Sequence, residues 1–391
     1  MPTVETGLER LLADPPAWFR GLRFGLLCNP ASVDRRLRHA RTLLQERFGG
    51  RLRALFSPQH GFWAEKQDNM IESDDGVDPE LGLPVFSLYG KTRVPTAAMF
   101  AGLDALVVDL QDAGTRVYTF ASTLAHCMET AGAAGIPVVV LDRPNPLGGA
   151  EVEGNLLRPE CASFVGRFPL PMRHGMTFAE LGRWIAGPGG IACELRWIPM
   201  RGWGRSQRFP ETGLPWIPPS PNLPSYAAAC VYPGQVLWEG TNVSEGRGTT
   251  QPFELFGAPF LDVRALAARF PEGSLPGVFL RPVVFEPTAH KWCGRPCRGF
   301  QLHVTDADRY RPYATTLRLL QAVLAAHPQD FAWRPPPYEY EFERAPIDLL
   351  IGDAGLRRRL EALEPVERLE ASWRGELEEF RAASRAVHLY A

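Results

Sequence analysis

Five short apolar runs in the first 141 residues, each too short for a helix and each ending in polar residues, constrain this chain more than any other feature. They lie at Phe24–Cys28, Leu52–Phe56, Val85–Leu88, Ala105–Leu110 and Val138–Leu141. Several are apolar on both alternating faces, as strands of a sheet covered on both sides must be. Between them run amphipathic stretches such as Ala40–Phe48 and Phe120–Ala134, the second closed by Gly135 and Pro137. This alternation predicts an α/β fold, a Rossmann-like, doubly wound, mostly parallel sheet. Thr177-Phe-Ala-Glu180 has the form of a capping box, so a helix is predicted from there to about Ile185, followed by a last strand at Glu194–Ile198.

A chain of 391 residues exceeds what one core needs, and its texture changes at Gly213. Pro215–Pro224 holds five prolines in ten residues and is forced into an extended path. We expect two domains, a Rossmann-like one over 1–214 and a smaller α+β one over 215–391, with a site at their interface. The second domain is predicted to carry strands at Val278–Phe285 and Gly299–Val304 and helices at Ala314–Ala326 and Leu356–Leu363.

Charge excludes some partners. Lys+Arg of 42 against Asp+Glu of 44 leaves a net charge of -2, so no global positive field draws in nucleic acid or an anionic membrane. Only Lys66, Lys91 and Lys291 are lysines, and in so arginine-rich a chain a single arginine carries little weight. The first 24 residues interleave Glu5, Glu9, Arg10, Asp14 and Arg20 with apolar ones, unlike a signal peptide, and the expected address is cytoplasmic. Seven cysteines, an odd number, fit reduced thiols.

Ligands of open α/β sheets bind beyond the carboxyl ends of the strands. Here those ends are polar: Ser57-Pro-Gln-His-Gly-Phe-Trp-Ala-Glu-Lys-Gln-Asp-Asn-Met70, Asp109-Leu-Gln-Asp-Ala-Gly-Thr-Arg-Val-Tyr118 and Asp142-Arg-Pro-Asn-Pro-Leu-Gly-Gly149. Gly90-Lys91-Thr92 lacks the upstream glycine of a phosphate loop, and the first strand runs into Asn29-Pro-Ala-Ser32 without a dinucleotide fingerprint. No Gly-x-Ser-x-Gly elbow and no His-Glu-x-x-His occur, and His290, Cys293, Cys297 and His303 match no common zinc spacing. Neither metal nor cofactor is expected. Carboxylates, amides and aromatics in glycine-rich loops suit a carbohydrate, whose glycosidic cleavage needs a carboxylic acid to protonate the leaving oxygen.

The most specific text is Trp216-Ile-Pro-Pro-Ser-Pro-Asn222, Tyr232-Pro-Gly and Trp238-Glu-Gly-Thr-Asn-Val-Ser-Glu-Gly-Arg-Gly-Thr-Thr-Gln-Pro-Phe-Glu254. With Pro171-Met-Arg-His-Gly-Met-Thr177 and the three loops above, it closely resembles the DUF1343 or NamZ-like family of exo-β-N-acetylmuramidases, over about Gly25 to Val304. The resemblance implies a two-domain glycoside hydrolase that releases terminal β-linked N-acetylmuramic acid from peptidoglycan fragments, a small-carbohydrate partner, and a site between the domains. It leaves oligomeric state open. The family commonly has Glu-His-Gly after the second strand, with that glutamate a favoured catalytic candidate. Here Gln59 precedes His60 and Gly61, and an amide transfers no proton.

Glu65, in the same loop, is therefore the first replacement acid, with Glu239 and Glu245 next and His60 as an acid–base or orienting group. The bland readings are a solvated charge for Glu65, an ion pair with Arg247 for Glu245 and backbone hydrogen bonds for Glu239. Recognition of the lactyl carboxylate of muramic acid calls for a guanidinium fork, from Arg116 or Arg247. Gln59, Asp112, Tyr118, His174, Asn222 and Asn242 complete the expected binding set, and Tyr118 and Trp238 are offered as stacking faces or as core. Two other functions fit the same residues: a muramic-acid-binding protein without catalysis, and a hydrolase of another acidic amino sugar.

Overall fold

The computed structural model describes residues 3–391. Strands β1 (Phe24–Cys28), β2 (Leu52–Ser57), β3 (Gly76–Val77), β4 (Pro84–Ser87), β5 (Ala105–Asp109) and β6 (Val138–Leu141) arise where the apolar runs predict them, β3 being an addition. A separate hairpin, β7 (Glu153–Leu156) with β8 (Pro171–Arg173), precedes β9 (Leu195–Ile198). The main sheet has the order β3-β4-β2-β1-β5-β6-β9, parallel throughout except for the edge pair β3–β4. Strand β1 sits between β2 and β5, so the chain winds outward from it in both directions and the carboxyl ends gather at that switch point.

Strand alternation divides the core. Phe24, Leu26, Leu55, Val107 and Val139 face α1 (Gly7–Ala13) and α2 (Ala40–Phe48), whereas Leu27, Phe56, Leu106, Val108 and Val140 face the opposite cluster with α3 (Phe120–Ala133) and α4 (Phe178–Ala186). The capping box at α4 forms as read: Thr177 accepts from the Glu180 N–H while Glu180 reaches back to the Thr177 N–H.

The second half adds α5 (Tyr226–Gln235), β10 (Leu255–Ala258), α6 (Val263–Ala268), β11 (Val278–Phe285) and β12 (Cys297–Val304), with an antiparallel sheet in the order β10-β12-β11. Four helices follow: α7 (Pro312–Ala326), α8 (Pro346–Ile351), α9 (Ala354–Glu361) and α10 (Val366–Ser384). The Tyr232-Pro-Gly motif is the last turn of α5, where Gly234 backs onto the Pro312 carbonyl with no room for a Cβ. One apolar cluster continues from the α3 face of the main sheet into the small sheet and α7–α10. Across the switch point runs the proline-rich segment, whose Pro219 carbonyl accepts from the Asn29 side-chain amide at 2.8 Å. No helix is long and apolar enough to cross a membrane among the described residues.

Candidate active site

Leaving β2, the chain turns sharply through His60 (φ 78°) and Gly61 (φ 86°), a left-handed passage that glycine favours and histidine adopts only when its surroundings hold it. The His60 Nδ1 lies 2.8 Å from the Lys66 carbonyl. A carbonyl only accepts, so Nδ1 carries the proton and Nε2, with no partner among the described residues, presents a lone pair. Burial pushes the ring down to about 4, so it is neutral at pH 7. Beside it the Gln59 carbonyl oxygen accepts from the Thr119 hydroxyl at 2.6 Å, which leaves the amide nitrogen to donate to Glu339 at 3.0 Å.

Glu339 was not anticipated. It lies between α7 and α8 with a backbone φ of 47°, followed by Tyr340 at 65°. Its second oxygen accepts from the Tyr89 hydroxyl at 2.6 Å. Burial, reinforced by the nearby charge of Glu239, pushes its carboxyl up to about 7 against the opposing hydrogen bonds of Tyr89 and Gln59. Glu239 is held differently. Its Oε1 accepts from Arg247 Nη2 (2.7 Å) and Nε (3.2 Å), and its Oε2 from the Tyr338 hydroxyl (2.5 Å) and the Asn69 amide (3.2 Å). The Asn69 contact joins the loop after β2 directly to the 238–250 segment. Two carboxyls thus share one site in contrasting settings, one without a cationic hydrogen-bond partner and one ion-paired.

Gln59, His60, Asn69, Tyr118, Asn222, Glu239, Arg247 and Glu339 all line one chamber of about 30 Å³. That is room for one or two waters. Beyond a wall formed by Asn69, Glu239, Arg247 and Tyr338 opens a bay of about 500 Å³, bordered by Glu245, Lys291 and the 332–335 segment.

Several expected site residues are used elsewhere. Glu65 is exposed, and its carboxylate folds back over Gly61 to accept from the Trp63 N–H at 3.1 Å; it lines neither cavity, contrary to what the sequence's first choice of acid requires. Arg116 is likewise no ligand group. Its Nη1 donates to the carbonyls of Asn155 (2.8 Å) and Leu170 (2.9 Å), and its Nη2 to those of Leu350 (3.0 Å) and Ile351 (2.7 Å), which ties the β7–β8 hairpin to the end of α8. Burial pushes this guanidinium down to about 10.

Asp112 accepts from the Gly114 N–H at 2.6 Å and faces His174 Nε2 at 3.4 Å, while His174 Nδ1 accepts from the Met176 N–H. Both lie outside the chamber and brace the loop after β5. Asn242 spends its amide on the Asp330 carbonyl and the Ala332 N–H at the rim of the bay. Asn222 donates to the Gln67 carbonyl at 2.8 Å. Trp238 is core, stacked on Phe256 at 4.9 Å and 8°.

Glu245 is buried between Lys291 Nζ (2.6 Å) and Arg247 Nε (3.4 Å), and although burial raises its carboxyl, the charges of Lys291 and Arg247 outweigh that and hold it below its ordinary value. The two remaining donations of Lys291 go to the carbonyls of Trp238 and Val243. Sequence reasoning passed over Lys291, although it is one of only three lysines, and over Asn69, Tyr89 and Tyr338.

The N-terminal family described as exo-beta-N-acetylmuramidase NamZ matches residues 24–227, and its C-terminal counterpart residues 230–390. The chain belongs to the NamZ family. It is 40% identical over 389 residues to the peptidoglycan beta-N-acetylmuramidase NamZ of Bacillus subtilis (strain 168), covering 100% of this chain and 92% of that protein. Two DUF1343 family proteins from Bacteroides fragilis NCTC 9343 share the fold, one with a TM-score of 0.88 at 32% identity, the other 0.77 at 27%. Each match covers 100% of this chain and 99% of the other. The fold is thus α/β, with the mostly parallel sheet and the smaller α+β part that the sequence predicts.

Proposed function

We propose that this protein is an exo-acting glycoside hydrolase that removes terminal β-linked N-acetylmuramic acid from peptidoglycan fragments, with Glu339 as its acid. One observation carries the assignment of the acid. Glu339, titrating at about 7, is buried in the same chamber as the ion-paired Glu239. A carboxyl that keeps about half its protons at pH 7 is what the departing glycosidic oxygen needs.

In this reading the Glu339 proton moves to the leaving oxygen as the bond to the anomeric carbon breaks. Glu239 already accepts from four donors, which leaves it no lone pair for attack; it acts as the fixed negative charge beside the oxocarbenium-like centre. His60 Nε2, the open acceptor, orients the incoming water and takes its proton. The sugar enters from the bay, and because the chamber holds only one or two waters, Tyr338 must swing aside to admit the ring. Gln59 is the residue that presents the acid, which answers the reading of this chain as a binding protein without catalysis.

Two further parts of the proposal concern organisation and address: a boundary near residue 214/215 and a cytoplasmic location, the latter checked by fractionating the native host. For the chemistry, Glu339→Gln and Glu239→Gln are assayed on a chromogenic N-acetylmuramic acid glycoside. Loss of at least about 10³-fold in kcat for Glu339→Gln, with the fold intact, is expected. Normal turnover by that variant removes Glu339 from the reaction. With water as the nucleophile the first-formed anomer is inverted; retention, read by proton NMR, would assign the attack to the substrate's own acetamido oxygen.

A further inference from the structure

Resting on the activity proposed above, we infer that the bay beside the chamber is a carboxylate subsite in which Arg247 and Arg334 together select the acidic sugar. Muramic acid differs from glucosamine by a lactyl ether, so the recognising group must be a cation with unspent donors. Arg116 has none to offer here, since its four terminal donations all go to backbone carbonyls and its unpartnered Nε belongs to a residue that lines neither cavity. Lys291 has none either, with three donations to Trp238, Val243 and Glu245.

Arg247 does. It is 6% exposed, its Nε and Nη2 are committed to Glu239 and Asn69, and its Nη1 is buried without any partner. The Nε atoms of Arg41, Arg116 and Arg173 are also buried without partners, but of these arginines only Arg247 lines the bay, where its orphan marks the place of a missing acceptor. Arg334 borders the same bay and is exposed. Its backbone N–H donates to the Gly240 carbonyl, which fixes the chain there, while its guanidinium has no hydrogen-bond or ion-pair partner among the described residues. Of the other charges facing the bay, Glu245 is matched with Lys291 and Glu239 with Arg247, while Asp68 lies 3.4 Å from His290 Nδ1, an ion pair only when that imidazole is protonated. An arriving carboxylate therefore meets one buried donor and one free cation. A neutral N-acetylglucosamine would leave both unsatisfied.

The test uses Arg334→Met, which touches neither carboxyl of the chamber, on paired chromogenic glycosides of N-acetylmuramic acid and N-acetylglucosamine. Expected is a fall of roughly ten-fold or more in kcat/KM for the muramic acid glycoside, steeper at low salt, with the glucosaminide unchanged. Equal loss on both substrates, or none on either, overturns the inference. Calorimetry with the two free sugars supplies a readout independent of turnover: the wild type must prefer N-acetylmuramic acid, and Arg334→Met must lose most of that preference. If the wild type hydrolyses neither glycoside yet shows this binding preference, the hydrolase reading fails while the subsite stands. No preference in the wild type overturns the subsite itself.

Discussion

The side-chain amide of Gln59 donates to the Glu339 carboxylate at 3.0 Å, a contact between residues 280 positions apart in sequence. It places a carboxyl of the second half of the chain beside the position where the family commonly carries a glutamate. Thr119 holds the amide in this orientation by donating to its oxygen at 2.6 Å. Replacing Gln59 by glutamate would set two carboxyls side by side sharing one proton, so one of them should titrate at least about one unit above 7. In the pH profile of Gln59→Glu the alkaline limb should move up accordingly; an unmoved limb would dissociate residue 59 from the acid.

Activity of the wild type should fall as pH rises through about 7, because Glu339 must be protonated to act and its folded pKa is raised to about that value. The hydroxyl of Tyr89 stabilises the ionised form, so Tyr89→Phe should shift this limb to higher pH. Linkage has a consistent sign: a carboxyl raised on folding favours the fold while protonated, and that contribution is lost as pH climbs through 7. Urea midpoints of wild type and Glu339→Gln, measured at pH 6 and pH 8, should diverge in that direction.

Glu65→Gln should leave kcat/KM within about two-fold of wild type, since its exposed carboxylate serves only its own turn. A loss of a hundred-fold would return Glu65 to the mechanism.

Arg116→Met should cost about 4 kcal/mol in denaturant unfolding, because it removes four buried hydrogen bonds, although the Leu170 carbonyl keeps the Leu157 N–H and that of Ile351 the Asn155 amide. Activity per folded molecule should be far less affected. A selective defect on muramic acid substrates with normal stability would contradict this structural role.

Much of the fold was written locally. The strands β1 and β6 and the helix α2 fall on the residues that periodicity and breakers indicate, and the Thr177–Glu180 cap forms as its spacing requires. Helices α1 and α10 went unread, α10 because its apolar stripe of Leu369, Trp373 and Phe380 is diluted among many charges. Of the site, the loop holding His60 and the segment holding Glu239 and Arg247 were legible as glycine-rich polar text at strand ends.

Residue types and their spacing along the chain determined the sheet, its polar carboxyl edge and the resemblance to a muramidase family. Which carboxyl is protonated, and which arginine is free, depended on partners far away in sequence. Glu65 and Glu339 are the same residue type, and only burial, reinforced by the charge of Glu239 and opposed by the hydrogen bonds of Tyr89 and Gln59, gives the second its raised pKa. Arg116 and Arg247 are likewise alike as text. Four carbonyls consume the terminal donors of the first, which lines neither cavity, whereas the second keeps a terminal nitrogen unmatched in a residue that lines both, because hydrogen-bond capacity is allotted by tertiary packing.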